Sequence, residues 1–339
     1  MKEITIKKRY YIVLFLALGL LAFVASLIDY SINSIDNKNT TVVIDIPTGS
    51  GFFKIAEILN QKGMVKNRLL FYALVTYRHA WRSIRAGEYE FSTSLTPYAV
   101  IDKLLRGEIK HYKVFIPEDS SVKEIAAILM KDKLIDEESF FEAAADEEFL
   151  KSLDIQADYI EGYLFPDTYY LERSMNTRQI MRKMVDRLWN KFSPAMLEKA
   201  KEMSLSVHAL ITLASIIGKE SGNNAEKPLI SAVFHNRLKR KMPLQSDPTA
   251  VYDLENFTGA VKRSHLKRNS PYNTYVISGL PPGPIANPGL DSMKAALYPA
   301  KVDYLYFVAQ GDGSHFFSSS LEMHNKAIAR YRLNKGKRQ

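Results

Sequence analysis

Apolar and polar positions follow several distinct patterns along this chain. Tyr10 to Ile28 is an uninterrupted apolar run with no charged residue, long enough to cross the hydrocarbon core of a bilayer as a helix. Ser31 to Thr41, SINSIDNKNTT, is polar, lacks apolar periodicity and reads as a tether. From there to about residue 150 the pattern alternates short strands with short amphipathic helices. Beyond it come longer helical stretches, then a strand-and-loop region. These patterns predict an α+β chain. It divides into a short tail (1–9), a transmembrane anchor (10–28), a linker (29–41), a module (42–150) and a mixed α+β domain (151–339).

The module contains an internal repeat. VIDIPTGSGFFKIAEIL (Val43 to Leu59) aligns without a gap with KVFIPEDSSVKEIAAIL (Lys113 to Leu129). Pro47 matches Pro117, Ile55 matches Ile125 and, further on, Phe71 matches Phe141. Each copy predicts a short strand, a Pro-containing turn and two short amphipathic helices. The proline directly after the apolar strand cannot donate to a ladder and so marks the strand end. Lys54 and Glu57 fall on the outer face of the first helix, opposite Ile55, Ile58 and Leu59. Between the copies, Ala86 to Glu108 adds another strand and a helix with Thr96 at its cap and Pro97 in its first turn. This strand–helix–helix–strand unit resembles LysM-like modules, which would imply binding to glycan strands containing N-acetylglucosamine. A purely structural βα module that positions the rest of the chain is the alternative.

After residue 150, YIEGYLFPDTYYL (Tyr159 to Leu171) is aromatic-rich and interrupted by Gly162 and Pro166. Helices are predicted over Thr177 to Phe192, Pro194 to Met203, Val207 to Glu220 and Leu321 to Leu333, with a hairpin over Asp303 to Ser320 turning at Gly-Asp-Gly. On a helical wheel, Ala209, Leu213, Ile216 and Ile217 form a stripe that Glu220 continues, while Lys219 falls with His208, Thr212 and Ser215 on the polar side. A carboxyl turned towards a core is costly to ionise, so its pKa rises and it suits a general acid. The alternative is an end-of-helix carboxylate that reaches water or pairs with Arg237. Ser221 to Asn224 makes a polar exit suited to a cleft wall. Gln245, Asp247 and Thr249 in LQSDPT, Asn273 and Tyr275 in SPYNTY, Asn287, and His315 with Phe316 supply planar hydrogen-bonding groups and rings of the kind that recognise sugars.

Charge sets the orientation. Lys2, Lys7, Lys8 and Arg9 precede the apolar run, and Asp29 and Asp36 follow it. The positive-inside rule then keeps the N-terminus in the cytoplasm and exports the rest. A cleaved signal peptide, with VAS (Val24 to Ser26) as its site, is the alternative; the length of the run favours a retained anchor. The net charge of +9 points to an anionic partner or a membrane surface, and much of it lies late, from Arg237 to Arg338. No zinc-finger, RNP or helix-turn-helix pattern supports nucleic acid. The absence of cysteine excludes disulfides and thiolate zinc sites. No HExxH or GxSxG occurs, and the seven histidines show no ligand spacing, so metal and nucleophilic hydrolases fit poorly.

Seven motifs stand in order: IEGYLFPDTY, LASIIGKES, SAVFHNRL, LQSDPT, YNTY, GLPPGPIANPG and YLYFVA. The set resembles the YceG-like endolytic murein transglycosylases. That resemblance implies cleavage of the MurNAc-GlcNAc β-1,4 bond of nascent peptidoglycan without water, leaving 1,6-anhydro-MurNAc ends and terminating elongation. It implies no cofactor and no metal, with glycan strands and peptidoglycan synthases as partners. It carries the catalytic role onto Glu220, which closes IIGKES, and makes Gln245, Asp247, Thr249, Asn273, Tyr275 and Asn287 sugar-holding residues. The commoner form of that segment has a Glu before the Lys where this chain has Gly218; since the catalytic glutamate is the later one, activity is expected to survive. Two other functions stay open: a muramidase-like glycoside hydrolase using Glu220 and Asp247, and a non-catalytic wall-binding protein.

Overall fold

The apolar run becomes one helix, α1 (Lys2–Ile32), whose stretch Lys8–Ile32 is long and apolar enough to cross a membrane. The computed structural model describes residues 2–36, 38–79, 84–255 and 257–336; Lys337 and Arg338 of the basic tail lie outside them, as do the side chains of Lys2, Lys7, Arg332 and Lys335. The chain divides into two compact units, Met1–Tyr112 with Tyr170–Met175, and Lys113–Tyr169 with Asn176–Gln339.

In the first unit, β1 (Thr41–Ile46) pairs antiparallel with β2 (Gly87–Ser92), Thr41 facing Ser92 and Ile46 facing Gly87. Alternation along β1 buries Ile44 and Ile46 and leaves Val43 and Asp45 outside. Helices α2 (Phe52–Gln61), α3 (Arg68–Tyr77) and α4 (Pro97–Arg106) cover the inner face with Ile55, Leu59, Phe71, Ile101 and Leu104, around Tyr89 and Phe91. Lys54 and Glu57 pair on the exposed side of α2. Asn67 and Thr96 cap α3 and α4 by accepting from the third residue onward, each cap contributing about 1 kcal/mol. The polar stretch after α1 is not wholly free. Ile35 is buried in this core, its N–H donates to Leu95 O, and Asp36 N–H donates to Thr93 O.

The division between units falls in two short strands, β3 (Tyr112–Phe115) and β4 (Thr168–Leu171). The second copy of the repeat, with α5 (Val122–Lys131) and α6 (Glu137–Ala144), lies in the second unit. The turns of the two copies match in backbone. Gly49 at φ +79° and Asp119 at φ +62° hold the same left-handed position, and Gly51 and Ser121 each precede the next helix. They differ in what they carry. Glu118 and Asp119 reach glycines elsewhere in the second unit, and a Cβ on Gly289 or Gly218 would overlap their carboxylates. Asp119 N–H donates to Asn287 O, and Asn287 N–H donates to Ser120 O, both at 2.9 Å. Lys227, 2% exposed, pairs with Glu118 at 3.2 Å.

The rest of this unit comprises α7 (Glu147–Lys151), α8 (Thr177–Trp189), α9 (Pro194–Glu202), α10 (Val207–Glu220), α11 (Lys227–Lys239), α12 (Asp247–Val251), α13 (Arg263–Leu266) and α14 (Leu290–Leu297). A hairpin of β5 (Tyr306–Ala309) and β6 (His315–Ser318), then α15 (Leu321–Gly336), close the chain. α9 meets α10 at 93°, and α10 packs against α9, α11, α12 and α14. Consequently α10 is buried on every side from Leu210 to Gly218. This corrects the predicted polar face. Thr212 and Ser215 are buried, Thr212 Oγ1 donating to His208 O and Ser215 Oγ to Thr212 O, while Ser215 also accepts from Ile285 N–H. Small hydroxyls that bond their own helix backbone can occupy a core, which a wheel does not register.

Candidate functional site

Glu220 is the last residue of α10, where the helix leaves the core, so its side chain retains partial exposure. Ser246 Oγ donates to Glu220 Oε1 at 2.5 Å. Packed protein around the carboxyl pushes its pKa up to about 7; the Ser246 bond and the Asp247 main-chain N–H oppose that rise, the Asp247 charge adds to it, and His315 opposes it. Among the described residues no ion pair joins Glu220 to Arg237. That guanidinium instead donates Nε to Leu305 O and NH1 to Leu244 O and Gln245 Oε1. The carboxyl is thus neither released to bulk water nor neutralised by an arginine.

Ser246 owes its position to a buried hydrogen-bond network. Its N–H donates to Thr274 Oγ1, Gln245 N–H donates to Thr274 O, and Thr249 Oγ1 donates to Ser246 O. Gln245 sits at φ +51°, which turns the chain so that Ser246 points inward while Gln245 and Asp247 stay exposed. Asp247 Oδ1 accepts from Tyr275 OH at 2.6 Å. Of the sequence-predicted set, Gln245 and Asp247 flank the serine that holds Glu220, and Tyr275 joins them through Asp247 at this partly exposed surface. Thr249, Asn273 and Asn287 do not open to it. All three are fully buried. Asn273 Nδ2 donates to Arg268 O at 2.7 Å and its Oδ1 accepts from Tyr275 N–H, so it pins the loop that presents Tyr275. Asn287 accepts from Leu164 N–H and donates to Ser120 O and to Glu161 Oε1.

Two residues escaped the sequence reading. Ser246 lay unremarked between two singled-out neighbours. Glu161, inside IEGYLFPDTY, is 4% exposed, accepts from Val122 N–H, Asn287 Nδ2 and Tyr252 OH, and has its pKa pushed by burial to about 7. It lines a cavity of about 700 Å³ together with Tyr159, Tyr252, Phe257, Lys123, Lys219 and Asp247. Asp247 thus borders both the cavity and Glu220. Among the described residues no group of three or more His, Asp or Glu is placed to hold a metal ion.

The model of the YceG-like family matches residues 44–330. The chain is 35% identical over 318 residues to the endolytic murein transglycosylase of Bacillus subtilis (strain 168), covering 89% of this chain and 88% of that one. It is 29% identical to the protein of the same name from Streptococcus pneumoniae serotype 2 (strain D39), covering 87% of this chain and 59% of the pneumococcal one. The crystal structure of a yceG-like protein from Listeria monocytogenes superposes with a TM-score of 0.59 at 33% identity, covering 85% of this chain and 99% of that one. With a family match over most of its length and a relative of this similarity, the chain belongs to the YceG-like family.

Proposed function

We propose that this chain is a membrane-anchored endolytic lytic transglycosylase. It cuts the MurNAc-GlcNAc β-1,4 bond of nascent peptidoglycan, leaves 1,6-anhydro-MurNAc ends and so terminates strand growth. The observation that carries this reading is the placement of Glu220 at the end of the buried helix α10, its carboxyl packed in protein and held by Ser246 Oγ at 2.5 Å. A carboxyl with a pKa of about 7 holds its proton in much of the population at neutral pH and can donate it. Glu220 gives that proton to the leaving glycosidic oxygen as oxocarbenium character develops at the anomeric carbon. The carboxylate then takes the proton of the muramic 6-hydroxyl, whose oxygen closes on the same carbon. Because the nucleophile is part of the substrate, effective molarity replaces an enzyme nucleophile and a single carboxyl suffices. Ser246 fixes the carboxyl in place, while Gln245, Asp247 and Tyr275 bind sugar hydroxyls and acetamido groups beside it. Thr249, Asn273 and Asn287 serve from beneath by holding those loops.

The names of the B. subtilis and pneumococcal relatives support the same activity. In this scheme α1 crosses the cytoplasmic membrane through residues 10–28 with its N-terminus inside, and the rest acts outside the cell. A LysM-like glycan-binding role for the repeat region and contact with peptidoglycan synthases complete it. The hydrolase reading rests on Asp247, an exposed carboxylate beside Glu220. Mass spectrometry of digested polymeric peptidoglycan separates the two: the expected product is lighter by one water than the reducing-end product of hydrolysis. Normal degradation by Glu220→Gln would instead favour a wall-binding protein whose glutamate is structural.

A further inference from the structure

The cavity of about 700 Å³ lies wholly within the second unit and borders the pair formed by Glu220 and Ser246. Lys219, next to Glu220 in the chain, and Asp247, next to Ser246, both line it. Its walls are fixed by one buried carboxylate. Glu161 accepts from Val122 N–H at 3.0 Å, where α5 begins, and from Tyr252 OH at 3.0 Å. Asn287 Nδ2 adds a third bond at 2.8 Å. Tyr252 is set further by Tyr272, their ring centres 4.8 Å apart. With Tyr159, Phe257, Val251 and Leu254, Tyr252 gives the cavity a mainly apolar lining that is formed before any ligand arrives.

Each carboxylate on that lining already has a donor in the protein. Glu161 takes the three bonds above. Asp253 pairs with Arg268 and accepts from Ser270 Oγ at 2.6 Å, and Asp247 accepts from Tyr275 OH. Glu124 accepts from Ser121 N–H at 2.6 Å, with Lys219 Nζ 3.8 Å away. Lys123, exposed on the first turn of α5, makes no ion pair among the described residues. The charge left unmatched at the cavity is therefore positive.

We propose that this cavity receives the peptide branching from the lactyl ether of the muramic residue being cut. Lys123 and Lys219 recognise its carboxylates, and the aromatic wall packs against its side chains. Resting on the transglycosylase reading, this assignment names the part of the substrate that the site selects. Aromatic faces alone would suit a sugar ring, but the sugars of the strand are neutral and leave Lys123 without a counter-charge. The peptide supplies carboxylates, and its methyl and methylene groups match the apolar lining. It leaves the muramic ring close to the anomeric carbon, so a cavity bordered by the chain neighbours of Glu220 and Ser246 is within its reach. Only every second sugar bears such a branch. Seating it therefore decides which of two similar linkages faces Glu220.

The test uses the full chain in detergent with uncrosslinked glycan strands of matched length. One set carries its peptides; the other is stripped by an amidase, which leaves only the short lactyl carboxylate. Anhydro ends are counted by mass spectrometry. The wild type is expected to show about tenfold higher kcat/KM on the peptide-bearing strands, chiefly through KM. Lys123→Glu and Phe257→Ala should each narrow that preference to about twofold or less. Because the preference is a ratio within one preparation, a partly folded variant still reports it. Equal cleavage of both strands by the wild type overturns the proposal. So does a preference that survives both variants, or variants that slow both strands equally, which would make the cavity a further sugar site. If the wild type releases no anhydro ends from either strand, the transglycosylase reading fails. Binding of a fluorescent lactyl pentapeptide then decides the cavity separately: Lys123→Glu should weaken it about tenfold, and no binding by the wild type overturns the assignment.

Discussion

Ser246 and Glu220 are 26 residues apart in sequence, and in the proposed mechanism the 2.5 Å bond between them keeps the acid aimed. Glu220→Gln retains the shape but cannot donate, so anhydro-end release should fall by about a thousandfold or more while the circular dichroism spectrum stays that of the wild type. Ser246→Ala removes a donor that favours the ionised carboxylate. The Glu220 pKa should therefore rise further, and the alkaline limb of the pH–rate profile should move up. Loss of aim should lower kcat about tenfold, measured by the same product assay. The turn of Glu220 towards the core, away from Lys219, was legible in helical spacing, whereas the catalytic role came only with the family resemblance. Ser246 and Glu161 were not legible. Their roles exist only through partners brought close by the fold, such as Asn287, 126 residues from Glu161.

At the scale of elements, the turn between β3 and α5 locks into α10 and the approach to α14. Asp119 fills the space beside Gly218, its Oδ1 is buried with no partner, and burial pushes its pKa up to about 6. Alanine in a helix interior ordinarily gains about 1 kcal/mol over glycine, but at Gly218 the overlap with Asp119 costs about 1–3 kcal/mol and should win. Gly218→Ala should thus lower stability in urea titrations. Combined with Asp119→Ala, which empties the space, the same change should become neutral or stabilising. The repeat made both turns readable as turns, because a left-handed residue after proline is a local matter. Which compact unit each copy joins depends on Glu118 and Asp119 meeting two distant glycines, a contact that gapless alignment with Thr48 and Gly49 obscures. The buried Thr212 and Ser215 mark a similar limit, since hydropathy counts hydroxyls as outward-facing.

For the whole molecule, Glu161 and Glu220, pushed by burial to about 7, tie stability to pH in the same direction as Asp119, pushed to about 6. Glu161 and Glu220 bind protons more tightly when folded than in the unfolded chain, where a glutamate titrates at about 4.3. Between those limits the native state carries more protons, so stability falls as pH rises from about 4.3 to 7 and levels off above. For the buried Glu161 the loss is on the order of 3 kcal/mol. Denaturant titrations of the second unit's transition at pH 5 and pH 8 should show the higher stability at pH 5, and Glu161→Gln should flatten the difference.

The seating of Ile35 in the first unit's core has a consequence for reach. Only Asn33 and Ser34 separate that anchor point from the end of the apolar helix at Ile32, and two extended residues span roughly 7 Å. With the helix in a bilayer, such a short leash gives the first unit almost no vertical freedom and sets its standoff from the lipid surface.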